Sequence, residues 1–329
     1  MKQRIRLTAL FLAAVLLFGC SGAQSTAVKQ TVAGIETLLE TKDVLKTEDV
    51  LSGAGTSVSD WLAFTLARCG ETKGNKGYLT ALEEAVTRRY AADGCLDMRR
   101  ATEYQRIALT VLALGADPRA FGKDADGNPV DFVAGGIWAF PGGGFGEMEV
   151  NALIFALILL DAGGYTPPQN AEQIREELLT ALLSQQTENG AWGLTENAPD
   201  ADLTAMAVQA LAPYKDAAAK TSIETALSWL SARQTPDGAF AAYGEESVET
   251  VAQVILALCA LGTDPDNAGS HGFSGSLTAA LERFRAPDGS FKHVLTEETG
   301  NLLATQQALL ALCAAERLGA GEPFVYDFS

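Results

Sequence analysis

Acidic residues recur at the starts of long apolar runs in this chain of 329 residues. Each run is rich in alanine and leucine and is long enough for a buried helix, so each acid falls at the start of a predicted helix. The five acids are Asp60, Glu103, Glu149, Asp202 and Glu249. Carboxylates that are held close together repel one another, which raises some of their pKa values. If the fold brings these acids together, they could bind a neutral or cationic ligand or transfer protons.

Side chains near these acids, and at the start of a sixth apolar run, are of types that recognise small molecules. They are Trp61, Tyr104, Asn151, Thr204, Gln253 and Gln306. Together with the acids they predict a polar floor for a ligand. The alternative is structural, because acids in the first turn of a helix offset the positive end of its dipole and cap free N–H groups. The sequence leaves both interpretations open.

The apolar runs form one half of an internal repeat, in which successive runs begin 43 to 54 residues apart. A repeat of this length is typical of stacked helix pairs. Amphipathic segments alternate with the runs and predict outer helices near residues 28–39, 78–90, 130–140, 171–186, 222–234 and 274–284. Twelve such helices predict an all-α fold, an (α/α)6 toroid with six parallel inner helices and six antiparallel outer ones. The last run is as apolar as the middle ones, which favours a closed ring over an open solenoid that would need polar caps.

Glycine turns follow three of the outer segments. Each has a polar residue, a glycine four positions later and an aromatic two positions after that: Gln186, Gly190 and Trp192, then Gln234, Gly238 and Phe240, then Arg285, Gly289 and Phe291. The Asn-Gly and Asp-Gly pairs suit tight turns with a positive φ. We expect each aromatic side chain to pack back onto the preceding helix.

The spacing of Gln186, Gly190 and Trp192 resembles the QxxxGxW repeat of the terpenoid cyclase and protein prenyltransferase superfamily, which is built on the (α/α)6 toroid. The runs that begin at Asp202 and Glu249 look most similar to a branch of exported bacterial proteins related to the cobalamin carriers intrinsic factor and transcobalamin. This resemblance implies a corrinoid as a candidate ligand. Those carriers close over cobalamin with a second, β-rich domain, so a separate partner would have to supply that lid here.

Enzymes of this superfamily use residues that this chain matches only in part. Squalene-type cyclases carry DxDD followed by Thr-Ala, and here Leu203 stands in place of the last Asp. Asp202 matches the proton donor and is the one catalytic candidate. The zinc-binding Cys of prenyltransferases is replaced by Thr204, so we expect no metal and no resident cofactor. The sequence favours a binding protein; the alternatives are a glycan hydrolase or lyase with paired carboxylates and, less favoured, a cyclase that uses Asp202.

The N-terminus has the layout of an export signal, with three basic residues before a short apolar stretch. That stretch ends at Cys20 in a sequence that resembles a bacterial lipobox. We therefore expect a signal peptide over residues 1–19, a lipidated Cys20 with a tether over residues 20–27, the toroid over residues 28–320 and a tail over residues 321–329. The predicted location is outside the cytoplasm, on the surface of a bacterial membrane.

The net charge restricts the partners that this protein could bind, and the cysteine spacing indicates the state of its thiols. The net charge of -17 argues against nucleic acid, which needs basic surfaces. The expected partners are the membrane through the lipid on Cys20, a neutral or cationic small molecule, and a surface protein. Cys69, Cys95, Cys259 and Cys313 show no spacing typical of a zinc site or a disulfide framework, so we expect free thiols.

Overall fold

The computed structural model describes residues 24–328, except residues 146, 147, 168, 196 and 243. The predicted signal peptide over residues 1–19, Cys20 and the first part of the tether lie outside the described residues. Within the described part of the chain, no helix combines the length and the apolar character needed to cross a membrane.

Six apolar helices form the inner ring, and the predicted all-α toroid is confirmed. They are α3 (Ser57–Arg68), α5 (Ala101–Ala113), α7 (Val150–Ala162), α9 (Ala201–Leu211), α11 (Val248–Ala260) and α13 (Leu302–Ala320). Each inner helix packs against the next one along the chain, and α13 packs against α3. The ring is therefore closed, and the apolar surface of its last helix is buried without a polar cap.

The outer layer consists of α1 (Thr26–Leu38), α4 (Asn75–Asp93), α6 (Phe132–Gly136), α8 (Ala171–Ser184), α10 (Ala217–Ser231) and α12 (Leu277–Glu282). Each lies against the inner helix that precedes it, and α1 lies against α13. The helix predicted over residues 130–140 shrinks to the single short α6. It ends in the pair Gly135 and Gly136, which has poor helix propensity. A β-carbon on Gly136 would lie only 3.3 Å from the Gln105 backbone nitrogen, so this close approach to α5 favours glycine.

Short elements connect the helices. The helix α2 (Glu48–Ser52) and a 3-10 turn (Val44–Lys46) lie between α1 and α3, and a second 3-10 turn (Ala268–His271) precedes α12. Three antiparallel hairpins pair β1 (Phe121–Lys123) with β2 (Pro129–Val130), β3 (Trp192–Thr195) with β4 (Ala198–Asp200), and β5 (Ala241–Ala242) with β6 (Glu245–Glu246). Their registers place Phe121 opposite Val130, Trp192 opposite Asp200, and Ala241 opposite Glu246. Strands of two to four residues leave too little alternation to be predicted from sequence.

The glycine turn after α8 joins two neighbouring outer helices. The Gln186 side-chain amide donates to the Gly190 carbonyl of its own turn (2.8 Å) and to the Ser222 carbonyl within α10 (3.0 Å). Trp192 is fully buried, and its indole N–H donates to the Leu182 carbonyl near the end of α8 (2.8 Å). The aromatic side chain therefore packs back onto the preceding helix, as the sequence predicts.

The last glycine turn closes the outer layer. Arg285 stands where the earlier turns have glutamine, and its guanidinium donates to the Gly289 carbonyl (3.0 Å) and to the Thr31 hydroxyl of α1 (3.0 Å). The backbones meet closely, because a β-carbon on Gly34 would lie 2.4 Å from the Gly289 carbonyl carbon. The last glycine turn of the repeat thus binds α1, the first outer helix.

Substitution of Gly190 by alanine should weaken the contact between the glycine turn after α8 and the helix α10. Gly190 has a φ of +93°, and its β-carbon would lie 2.5 Å from the Thr225 methyl group and 2.9 Å from the Thr225 carbonyl oxygen. We expect the free energy of unfolding, measured with urea, to fall by about 2–4 kcal/mol. Gly319 is the control, because it is exposed in α13 with open space around its β-carbon. Gly319→Ala should raise the unfolding free energy by about 0.5–1 kcal/mol; equal values for both variants would contradict the steric argument.

Candidate functional site

The first turns of the inner helices surround a cavity of about 480 Å³ in the mouth of the ring. All six helices contribute lining residues, including Ser57, Trp61, Thr102, Asn151, Phe155, Asp202, Met206, Gln253, Gln306 and Gln307. Because nearly all of these residues belong to the N-terminal halves of their helices, the inner helices run parallel and begin at one mouth, as predicted.

The inner helices surround a central channel, which we call the bore. The C-terminal tail closes the end of the bore opposite the mouth. Tyr326 lines the cavity from below and stacks on Phe64, with ring centroids 5.3 Å apart. Arg68, the last residue of α3, donates to two backbone carbonyl groups of the tail (3.2 and 2.9 Å) and lies 4.0 Å over the ring of Phe328. Residues 324–328 therefore form a plug within the toroid, whereas the sequence pattern ended the toroid at residue 320. The cavity is blind.

Asp202 carries the least satisfied charge of the cavity wall. Its Oδ1 is buried and makes no hydrogen bond within 3.5 Å among the described residues; the Thr250 hydroxyl, which also makes none, is the group that interacts with it as a donor. Burial raises the pKa of Asp202 to about 6; the Thr250 hydroxyl opposes this rise, and the Asp200 and Glu249 carboxylates add to it. A carboxyl group in this state can accept a hydrogen bond from a ligand, balance a cation, or give up a proton near neutral pH.

Neutral amides line most of the remaining polar wall. Gln209 donates to the side-chain oxygen of Gln253 (2.9 Å), and Gln253 donates to that of Gln307 (3.2 Å). Gln306 donates to the Thr65 hydroxyl (2.6 Å). These bonds fix the orientation of the amide groups that a ligand would meet. Asn151 differs from them, because its side-chain oxygen is buried without a partner in the described structure.

Aromatic rings form an apolar part of the cavity wall. Trp61 lies edge-on to Phe64 and tilted against Phe155, with centroids 5.4 Å apart in both pairs. Trp61 and Phe155 are only partly buried by the protein. Their exposed faces offer a ligand a surface for stacking or apolar contact.

A second cleft of about 570 Å³ adjoins the cavity and shares Asp202, Leu303 and Gln307 with it. The Glu249 carboxylate lies in this cleft, where it accepts from the Ser247 hydroxyl (2.7 Å) and is hydrogen-bonded to His293 Nδ1 (2.6 Å). The bond to Glu249 raises the pKa of His293. Acidic and basic groups therefore stand side by side next to Asp202.

Several predicted site residues do not face the cavity. The Asp60 carboxylate is fully buried and accepts from the Gly55 amide (3.0 Å), the Tyr78 hydroxyl (2.7 Å) and Arg106 Nε (3.0 Å). Arg106 also donates to Glu103 (2.8 Å). These two acids of the predicted ring hold the loop before α3 against α5, which corrects the expectation that they form part of a ligand floor.

Three further predicted residues also lie elsewhere. The Tyr104 hydroxyl is buried and accepts from the backbone amides of Leu96 and Asp97 (3.1 and 3.2 Å). The Thr204 hydroxyl donates to the Asp200 carbonyl (2.6 Å) and accepts from the Trp192 amide (3.0 Å), so it joins the start of α9 to β3. Glu149 is exposed beside a separate small cleft.

The five acids do not form one polar floor, because they occupy different positions along their helices. Glu149 precedes the first residue of α7, Asp202 is the second residue of α9, and Asp60 is the fourth residue of α3. Each step along a helix turns a side chain by about 100°. Of the eleven predicted binding residues, the cavity contains Trp61, Asn151, Asp202, Gln253 and Gln306, and Glu249 lies in the adjoining cleft.

The structure adds residues that the sequence did not indicate. Gln307 follows Gln306 directly in the last apolar run, and the sequence pattern indicated only Gln306. His293 lies in the loop before α13 and carries no motif, and Tyr326 lies in the tail. Among the described residues, no group of three or more histidine, cysteine, aspartate or glutamate side chains is arranged to hold a metal ion.

Comparison with known proteins supports the toroid. Residues 147–263 match the family model of the prenyltransferase alpha-alpha toroid domain. A search of curated protein sequences finds no significant match. These findings do not bear on the branch related to intrinsic factor, which rests on the sequence resemblance.

Solved structures share the architecture at low sequence identity. An unsaturated glucuronyl hydrolase from Streptococcus agalactiae, in complex with dGlcA-GalNAc6S, has a TM-score of 0.58 at 10% identity, over 88% of this chain and 90% of its own. A type II terpene cyclase from Scytonema, in complex with geranylgeranyl dihydroxybenzoate, has a TM-score of 0.53 at 15% identity, over 89% of this chain and 99% of its own. An ent-copalyl diphosphate synthase from Streptomyces platensis has a TM-score of 0.51 at 17% identity, over 79% of this chain and 50% of its own. At these identities the likeness shows the fold alone.

Replacement of Arg106 should test the structural role of Asp60. Arg106→Met leaves the fully buried Asp60 carboxylate without its cation. We expect the free energy of unfolding at pH 7 to fall by about 3–5 kcal/mol. Arg88→Met is the control, since Arg88 forms an ion pair with Glu84 in which both side chains are exposed and should cost about 1 kcal/mol or less. A loss for Arg106→Met no larger than that of the control would count against a buried structural pair.

Asp202 should make the protein less stable as the pH rises. Its folded pKa of about 6 lies above its ordinary value of 3.8, so the folded state holds the proton more tightly. This stabilisation is complete below pH 3.8 and is lost as the pH rises through 6. The stability advantage of Asp202→Asn over the wild type should therefore grow by about 1 kcal/mol from pH 5 to pH 8 in urea unfolding. Glu224→Gln, at an exposed position of α10, controls for the loss of one charge; the same pH trend in both variants would rule out the burial of Asp202 as its cause.

Proposed function

Starting from an α/α toroid of the terpenoid cyclase and protein prenyltransferase superfamily, we propose that this protein binds a small molecule in the blind cavity at the mouth of its inner ring. One observation carries the proposal: Asp202 and Asn151 line the cavity, and Oδ1 of each is buried with no hydrogen bond within 3.5 Å in the described part of the chain. A buried acceptor that lacks a hydrogen bond costs about 1–3 kcal/mol. A ligand that donates to both oxygens would offset that cost.

The chemistry of the wall restricts the ligand. Trp61 and Phe155 favour an apolar or flat face, and the amides of Gln253 and Gln307 favour hydroxyl or amide groups. The carboxylates near Asp202 disfavour an anion. The ligand is then a neutral or cationic molecule with both hydrogen-bond donors and an apolar surface.

The cavity volume of about 480 Å³ fits the usual range for small-molecule sites, about 300–1,000 Å³. The corrinoid named by the sequence resemblance belongs in the test as a candidate that would also contact a lid from a partner protein. A surface protein that covers the mouth is the other proposed partner. Anchoring through a lipid on Cys20, outside the cytoplasm, is proposed from the sequence alone.

A thermal-shift screen followed by calorimetry tests ligand binding. The panel contains cobalamin and cobinamide, short neutral oligosaccharides, isoprenoid alcohols and their diphosphates, and divalent metal salts. A ligand at one hundred times its dissociation constant adds about 2.7 kcal/mol to the free energy of unfolding, a clear shift in Tm.

Variants of the cavity wall make this test specific. For any compound that stabilises the protein, Trp61→Ala and Asn151→Leu should each weaken binding at least about tenfold, a change of 1.4 kcal/mol. Trp138→Phe is the control, because Trp138 is half-buried and does not line the cavity. Binding that is unaffected by both cavity variants would place the ligand elsewhere and reject the proposal.

A second candidate function is proton transfer to a bound substrate. The raised pKa of Asp202, its Oδ1 without a hydrogen bond within 3.5 Å in the described structure, and the adjacent Glu249–His293 pair favour it. Terpene cyclases and a glycan hydrolase share the scaffold, so isoprenoid alcohols and unsaturated glycans are the substrates to test. An enzyme should convert one of them, as followed by mass spectrometry, and Asp202→Asn should abolish conversion while the compound still binds. Binding without conversion in the wild type supports the first function.

A further inference from the structure

Two cysteines meet where the ring closes. Cys69 ends α3, the first inner helix, and Cys313 lies in α13, the last inner helix. The packing of α3 against α13 is the contact that turns the row of helices into a closed ring. This pair plays no part in the proposed ligand site at the opposite end of the bore.

Hydrogen bonds place both thiols within the same helix crossing. The Cys313 thiol donates to the carbonyl of Arg68, the residue before Cys69 (3.2 Å). The Cys69 thiol donates to the carbonyl of Leu309, one helical turn before Cys313 (3.9 Å). A helical side chain leans toward the N-terminus, so the Cys313 sulfur lies over the turn that contains Leu309. Each thiol therefore bonds to the backbone of the other cysteine's helix or helix end.

Solvent can approach the pair from one side. Cys69 and Cys313 are 6% and 5% exposed, and both line a surface cleft of about 580 Å³. Arg68, Glu71 and Glu316 line the same cleft; burial raises the pKa of Cys69, and the two carboxylates add to this rise, so the neutral thiol is favoured. The two free thiols therefore lie in one helix crossing, one from each chain segment, and both line the wall of the cleft.

We propose that Cys69 and Cys313 form an intramolecular disulfide that closes the inner ring covalently. The oxidant is a small-molecule or protein disulfide. One cysteine thiolate attacks a sulfur of that disulfide, forms a mixed disulfide and releases one thiol. The other cysteine then attacks the protein sulfur of the mixed disulfide and releases the second thiol. The two cysteines lose two electrons and two protons, and the external disulfide gains them.

The bond would lie directly beside the plug of the bore. Arg68 joins the cysteine pair to the tail, because its guanidinium holds the backbone of residues 324–328. Fixing α3 to α13 at this point would hold Arg68 in place and keep the bore closed. Burial raises the pKa of Cys69, so we expect disulfide formation to be faster at higher pH, where more thiolate is present.

Oxidation of the full chain tests the proposal. The protein is incubated at pH 8.5 with oxidised glutathione or with dithiothreitol, alkylated, digested without reduction and mapped by mass spectrometry. We expect a peptide pair joined through Cys69 and Cys313 in the oxidised sample only. Because the bond would close a very long loop, Tm should rise by about 5 °C.

Variants separate this bond from other thiol chemistry. A Cys95→Ser/Cys259→Ser double variant should still form the cross-link and gain stability, whereas Cys69→Ser should do neither. Glutathione adducts alone, or a cross-link to Cys95 or Cys259 in place of the joined pair, would overturn the proposal. The mapping of the wild-type protein decides the question even if Cys69→Ser does not fold.

Discussion

The side chain that opens each glycine turn holds two outer helices at once, and the closed ring depends on this joint. Gln186 binds its own turn and α10, and Arg285 binds its own turn and α1. Each joint supplies a hydrogen-bond donor to backbone carbonyl groups in the turn, where the chain leaves a helix and regular backbone pairing ends. Because the outer helices are fixed in order around the ring, the inner helices return in parallel. All their N-termini then face one mouth.

A mouth formed by six helix N-termini would attract anions through the aligned helix dipoles. Acidic residues oppose that tendency, but they do so in two different ways. Asp60 is fully buried with Arg106, the Tyr78 hydroxyl and a backbone amide as partners, so it stabilises the fold. Asp202 lies in the cavity wall with a raised pKa, and its Oδ1 makes no hydrogen bond within 3.5 Å among the described residues. The same residue type, at nearly the same place in two repeats, is an internal ion-pair partner in one case and part of a cavity wall in the other.

The two ends of the bore are also used differently. At the N-terminal mouth, amides and aromatic rings line an open cavity. At the opposite mouth, Tyr326 and its neighbours fill the bore, and Arg68 holds them there. A ring of six helices leaves a central space, and aromatic side chains of the tail lie across it. The space on the N-terminal side of the tail is a cavity with a floor, which is the geometry that small-molecule sites usually have.

The sequence by itself determined the repeat, the alternation of buried and amphipathic helices, the glycine turns and the closed toroid. These follow from local periodicity and from residues a few positions apart, such as Gln186, Gly190 and Trp192. It also identified Trp61, Asn151, Asp202, Gln253 and Gln306 near the mouth. Only the tertiary structure decided which acids face the cavity, because a shift of one residue between repeats rotates a side chain to another face of its helix. The tertiary structure alone brought His293 to Glu249, Tyr326 under the cavity and Cys69 to Cys313, since these pairs are distant along the chain and no local pattern encodes their contact.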